Sequence, residues 1–452
     1  MAKYFEHSIP AKAPAYIIPS IRGQFELAAR RVRLRMDSLE EALQMSGLRG
    51  EVFAAAVLPL FKSKNEYGDP LIDTMMPQEL ADSAKLLSAG CLSVPDRIEW
   101  PNCNVVVDTA FVTNQEWETL RMLGLGGSDS ANVVNEGFTS AANVYHEKVG
   151  TFLVQKEITP EQQFLFDYGH CVETLVIDEF CRRTGAKRIP ETRMFCHKDY
   201  PFLTANIDQI VQLPDGTYAV FEAKTTTFFN RDQWAGGAVP RHYIHQCRKY
   251  PLVLNDDRIV RTYIGCIFGN TAQDFCCSIV ERDKAREQEQ LETEVAFWNE
   301  HVLAKQEPLA GGNTESILDI AKMKAGKGNP NVPTLQLDED QFTDLLASYM
   351  DMKAHVDTLN AQVKAAEESM DIVKAEIIQA LGDAETAVCA VVKSCAPGSG
   401  DYVYSITYKG KSGTSVNKER LKMLWPDAYQ ACVTQKTSAR SLSVKVKRGK
   451  IA

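Results

Sequence analysis

The sequence predicts an α/β protein: a mixed central sheet flanked by helices, preceded by an N-terminal extension and followed by a long helix with a small α/β module. Three observations carry that prediction. Residues 111–305 alternate helix-period and strand-period apolar patterns. Within them, LTANIDQIVQLPDGTYAVFEAKTT reads as two β-branched runs joined at Pro214-Asp215-Gly216, a hairpin turn signal. Beyond them, apolar residues from Met352 to Leu381 step by four and three, the seam of a coiled coil or long helical hairpin.

Taken in order, residues 1–110 hold two helical patterns (IRGQFELAARRVRLRMDSLEEALQ and LRGEVFAAAVLPLF) and an apolar strand, NVVVDTAFVT, with no evident chemistry. The body runs from 111 to 305, opening at the glycine-rich LGLGGSDSA and closing on the charged helix ERDKAREQEQLETEVAFWNEHVL. Gly, Pro and Asn mark 306–335 as a linker around a short helix. In 336–452 the long helix stops at Gly382, two strands flank PGSGD, a helix starts near Lys418, and SLSVKVK closes the module.

Composition narrows the function classes. At 452 residues the chain exceeds one hydrophobic core, so two or three units are expected. Hydrophobic content of 44% and charged content of 24% fit an ordinary soluble protein. No apolar run reaches membrane-spanning length and the N-terminus lacks an apolar signal core, so the expected location is the cytoplasm. Twelve scattered cysteines without a CxxC pair exclude a zinc ribbon or redox motif and disfavour an iron–sulfur cluster. The net charge of −9 hides an asymmetry: from Asp401 onward the chain is net +8, leaving −17 for the rest.

Chemistry concentrates at the hairpin. With the loop centred on Asp215, facing residues have numbers summing to 430, which sets Asp208 opposite Glu222 on one face. The period of two along a strand adds Lys224 to that face. Facing carboxylates repel unless something pairs with them, so the arrangement suits a hard divalent ion with oxygen ligands; an ordinary cross-strand salt bridge is the competing reading. Glu173 interrupts the apolar side of GHCVETLVIDEFCRRTG and either joins the same cluster or is a first-turn Glu favoured by the helix dipole. His170 beside it reads as structural. Gln246 lies among apolar neighbours on the helix starting after Pro240, a position that calls for a specific hydrogen-bond partner. Tyr243 and Tyr250 on that helix either stack on bases or pack in the core. The glycines of LGLGGSDSA could form an N–H nest for a phosphate, with Ser128 and Asp129 as N-cap candidates of the next helix.

Together, LGGSDSA…YHEKVG, GHCVETLVIDEF, NIDQIV…FEAKT and RHYIHQCRKY resemble, over about 111–260, the YqaJ-type viral recombinase family, the lambda-exonuclease-like branch of the PD-(D/E)XK nuclease superfamily. The resemblance implies a restriction-endonuclease-like PD-(D/E)XK core and an exonuclease that digests one strand of linear duplex DNA, 5′-to-3′, in phage-type recombination. It implies two Mg²⁺ ions, replaceable by Mn²⁺. By position, Asp208, Glu222 and Glu173 correspond to the metal-binding acids, Lys224 to the catalytic lysine and Gln246 to the helix glutamine. Ser128, with Asp129 in the same glycine-serine-aspartate block, falls near where a terminal 5′-phosphate is held, and Tyr243 is the base-stacking candidate for bound substrate. Implied partners are double-stranded DNA ends, further copies in a ring trimer, and a single-strand annealing protein; no membrane is involved. The sequence departs from the family at Ile207, where the superfamily name has proline, and in VVNEGFTSAAN, which lacks the usual small-loop proline. A structure-specific endonuclease of the same fold and a non-catalytic DNA-end scaffold are the alternatives.

Overall fold

A computed structural model describes residues 3–89, 96–154, 159–269, 271–309, 311–326, 332–393, 401–408 and 418–432. It comprises two compact units, Met1–Gly326 and Lys327–Ala452.

Unit 1 begins with α1 (Arg22–Ser46), whose Phe25, Ala29, Val32, Met36 and Leu39 recur at three and four residues and are all buried. Gly47 ends it in the left-handed region, φ +68°, where glycine carries no Cβ penalty. Helices α2 (Gly50–Lys62) and α3 (Pro77–Ser88) pack against it. Arg35 lies on the buried face of α1, its guanidinium forked between Asp73 at 2.6 Å and Glu116 at 2.8 Å. Glu116 belongs to α4 (Asn114–Leu120), so a buried ion pair ties the first hundred residues to the body. The two regions also share one apolar core, in which Phe5 meets Phe111 edge-on at 5.4 Å.

The expected strand over 104–113 is shorter, because Asp108 turns the chain. β1 (Cys103–Asp108) gives way to a 3₁₀ turn, Thr109–Phe111, once the Asp108 carboxylate accepts from the Ala110 N–H at 3.1 Å. β1 pairs antiparallel with β3 (Arg193–His197), and β3 with β4 (Thr204–Ala205).

A five-stranded sheet runs β2 (Lys187–Ile189), β5 (Gln209–Gln212), β6 (Tyr218–Thr225), β7 (Ile259–Ile267), β8 (Phe275–Glu281). Only the β6–β7 pair is parallel, which makes the sheet mixed and requires a crossover. Helix α8 (Arg241–Leu254) supplies it. On the opposite face lies α7 (Pro160–Thr184), its Phe180 against Phe221 of β6 at 4.5 Å. Between α4 and α7 come α5 (Gly127–Val133) and α6 (Ala141–Val149). Helix α9 (Lys284–Phe297) continues into a π-helical turn, Trp298–Leu303, and α10 (Thr314–Ala325) closes the unit.

In unit 2 the described residues form α11 (Glu339–Leu381), the antiparallel pair β9 (Thr386–Lys393) and β10 (Asp401–Thr407), and α12 (Lys418–Leu424) and α13 (Pro426–Cys432). The strand expected over SLSVKVK and most of the basic tail lie outside the described residues. Among the described residues no helix is long and apolar enough to cross a membrane.

Candidate active site

The β5–β6 hairpin has the register the turn dictates: Gln209 faces Phe221, Ile210 faces Val220, Val211 faces Ala219 and Gln212 faces Tyr218. Asp208 lies one residue before β5, in a bend, because the run from Leu203 breaks at Asn206-Ile207-Asp208 rather than staying one strand. Its side chain closes the end of the ladder, Oδ2 accepting from the Ala223 N–H at 3.0 Å. Strand alternation sends Phe221 into the apolar layer under α7 and turns Glu222 towards α8.

Glu222, 1% exposed, is held from both oxygens. Oε1 accepts from Lys224 Nζ at 2.5 Å and from Gln246 Nε2 at 2.7 Å; Oε2 accepts from the Tyr250 hydroxyl at 2.5 Å. Gln246 Oε1 accepts from Lys224 Nζ at 3.0 Å, and its amide also donates to the Tyr250 oxygen at 2.7 Å. This network fixes the amide orientation, since an ammonium can only donate and a carboxylate only accept. Gln246 and Tyr250 are one turn apart on α8, which gives the half-buried Gln246 amide its partners there. Tyr243, one turn earlier, lies beneath the Lys224 ammonium, 4.9 Å from ring centroid to Nζ, with its ring 4.0 Å from that of His242.

Electrostatics follow from this crowding. Burial, then the charges of Glu222 and Glu173, push the Asp208 carboxyl well above its ordinary range, against Lys224 and the Ala223 N–H. Burial also raises the Glu173 carboxyl, against His170 at 3.6 Å. Burial works against the Lys224 ammonium, yet Glu222 and Asp208 outweigh it and raise its pKa. Three carboxylates and one lysine therefore act on one another.

All of these line one open cleft of about 1100 Å³, together with Ser128, Arg121 and Asn206. The glycine-rich segment lines the same cleft, packed against α8, for reasons other than an N–H nest. Leu125 N–H already donates to Phe202 O at 2.6 Å, and Gly126 N–H to Asp129 Oδ2 at 2.8 Å. Gly124 is glycine because an added Cβ would stand 2.3 Å from Phe202 O; at Gly127 it would stand 3.1 Å from Gln246 Cγ. Gly126, rather than Ser128 or Asp129, caps α5. Asp129 sits in the first turn, 2% exposed, paired with Lys148 at 2.7 Å and Arg121 at 3.6 Å. Ser128 faces the cleft and accepts from the Arg121 guanidinium at 3.4 Å. Sequence reading missed Arg121, Lys148 and Asn206; their local patterns carry no chemistry, and only the fold brings Arg121 and Asn206 to the cleft and Lys148 to Asp129.

Among the described residues, no three carboxylate, imidazole or thiol side chains stand close enough to cage a metal ion. The donor set nevertheless suits Mg²⁺, which uses one or two carboxylates and fills its sphere with water and phosphate oxygens. Asp208 and Glu222 are hard oxygen donors, and Asn206 Oδ1, in the same cleft, is buried without a partner.

Residues 116–254 match the family model of the YqaJ-like viral recombinase domain. The chain is 24% identical to the uncharacterized protein YqaJ of Bacillus subtilis (strain 168) over 342 residues, which are 75% of this chain and 97% of that one. It is also similar to the crystal structure of an alkaline exonuclease, LHK-Exo, from Laribacter hongkongensis: TM-score 0.35, 18% identity, 47% of this chain and 98% of that one. The structure of LHK-Exo in complex with dAMP gives a TM-score of 0.36 and 18% identity, with 43% of this chain and 95% of that one covered. The matched segment spans Arg121, Ser128, Glu173, Asp208, Glu222, Lys224 and Gln246. Over residues 116–254 the chain is therefore similar to YqaJ-like viral recombinases.

Proposed function

We propose that unit 1 is a Mg²⁺-dependent exonuclease with a PD-(D/E)XK core that digests one strand of linear duplex DNA, 5′-to-3′. The observation that supports it most directly is the Lys224 ammonium held between Glu222 and Gln246, beside Asp208, in an open cleft within the YqaJ-like segment. Asp208 and Glu222, with Asn206 Oδ1 as a third oxygen, would hold Mg²⁺, and Glu173 would reach it through water. Bound there, the ion supplies Lewis acidity towards a phosphate oxygen and lowers the pKa of water.

The protein's own contributions follow from the contacts. Lys224, kept charged by Glu222, is a fixed cation that stabilises negative charge developing on the scissile phosphate. Gln246 and Tyr250 hold Glu222 in one rotamer, so the carboxylate is set before substrate arrives. Arg121 and Ser128, which also line the cleft, offer charge and a hydroxyl to a terminal phosphate. The same reading brings the family's ring assembly around DNA and its single-strand annealing partner.

The test is release of nucleotides from linear duplex DNA with Mg²⁺ and with EDTA. Lys224→Ala is expected to lower the rate by roughly 10²–10³, the usual effect of losing one preorganised charge-stabilising group. Unchanged digestion by that variant overturns the assignment. Cleavage of covalently closed circles would mark an endonuclease instead, and end-labelled duplexes with and without a 5′-phosphate read the polarity.

A further inference from the structure

The long helix α11 leaves an apolar seam uncovered. Apolar residues recur without a break every three and four positions from Phe342 to Ala380, yet Val356, Val363 and Met370 are 53%, 56% and 59% exposed. A 43-residue helix is about 65 Å long at 1.5 Å per residue, far more than a scatter of single exposed side chains.

We propose that α11 pairs antiparallel, over its full length, with α11 of a second copy of this chain. In an antiparallel two-stranded coil, each residue at the first seam position of a heptad faces one at the fourth position of the other helix. Setting Val363 against the partner's Leu359 lets every seam residue find an opposite, and the layers even out in volume. Phe342 then faces the partner's Ala380, Tyr349 the partner's Val373, Val356 the partner's Ala366, and Ile377 the partner's Leu345. A parallel pair would instead stack Phe342 on its own copy and Ala366 on its own, crowding one layer and hollowing another. The antiparallel register also brings Lys353, which has Asp357 at 3.1 Å on its own helix, beside the partner's Glu367, twice by symmetry. A parallel pair would set Lys353 against the partner's Ser348 and Glu367 against the partner's Gln362. Covering the seam removes on the order of 800 Å² per helix, the share of each partner in a standard stable interface.

The pairing joins two copies through unit 2 and does not rest on the nuclease assignment. The first test is the mass of the full chain in solution by light scattering, comparing wild type with the Leu359→Glu, Val363→Glu double variant. The variant is expected at a lower mass than wild type, and at half of it where α11 is the sole contact between copies. The second test reads the register without disturbing the seam. Asn360 flanks it and lies opposite itself across the two-fold axis, whereas Ala361 points outward. A short bis-maleimide should therefore join Asn360→Cys chains into covalent pairs above the wild-type background, and leave Ala361→Cys at that background. A wild-type mass of one chain, equal masses for wild type and double variant, or equal cross-linking at 360 and 361 would each overturn the proposal.

Discussion

Replacing Tyr250 by Phe removes one oxygen from a fully buried ring and tests whether the Glu222 carboxylate works as the centre of the site. That oxygen donates to Glu222 Oε2 at 2.5 Å and accepts from Gln246 at 2.7 Å. Burial and the nearby Glu222 charge raise the phenol well above its ordinary pKa, so it remains a donor at every working pH. A bond to a charged acceptor contributes about 1.5–3 kcal/mol and a neutral one about 1 kcal/mol, so the network loses about 2.5–4 kcal/mol if nothing relaxes. Gln246 and Lys224 still hold Oε1, and part of the loss therefore appears as a carboxylate free to rotate rather than as unfolding. Removing a partner of this kind costs about 10–100-fold in metal affinity or activity. The assay is the initial rate of nucleotide release from linear duplex across a Mg²⁺ titration, with a thermal melt in EDTA alongside. Half-saturation by Mg²⁺ should rise, or the maximal rate fall, by about that factor. A variant with the wild-type rate, Mg²⁺ dependence and melting point would refute the role given to Glu222.

Three further outcomes are expected. Asp208→Asn should abolish digestion yet raise the melting temperature in EDTA, because burial and the charges of Glu222 and Glu173 disfavour the ionised Asp208; a lowered melting temperature would contradict this. Burial works against the Asp129 carboxylate, but Lys148 and Arg121 hold its pKa below the ordinary value. Its stabilising contribution is therefore complete above about pH 4 and is lost as pH falls through the lowered value. Asp129→Asn should cost about 3–5 kcal/mol in urea unfolding at neutral pH, with the gap to wild type narrowing below about pH 4, and a gap that widens in acid would be the wrong sign. Gly124→Ala should destabilise by about 1–3 kcal/mol by forcing a Cβ against Phe202 O, read from the same urea curves; an unchanged midpoint would show that the loop can shift.

What the sequence alone determined is what short-range periodicity and turn chemistry encode. The Asp215 turn set the hairpin register, the period of two put Glu222 and Lys224 on the α8 side, and the helix after Pro240 placed Gln246 and Tyr250 one turn apart. The seam of α11 is equally local, since a helix presents residues three and four apart on one face. Tertiary structure decided which distant groups meet. Asp129 looked like a helix cap, but Lys148, nineteen residues on, makes it half of a buried ion pair. The glycines beside it looked like a phosphate cradle, but two of their loop's N–H groups are spent on Phe202 and Asp129, and the missing side chains admit the backbone at Phe202 and the helix bearing Gln246. Arg35 drew no notice among the charges of α1, yet it bonds Glu116, 81 residues away. Arg121 and Asn206 had no signal because a lone Arg or Asn on a loop or short helix acquires meaning only from the cleft it faces. Local patterns fix which way each side chain points, whereas the partner it finds depends on chain crossings tens to hundreds of residues apart, and no window of sequence contains those.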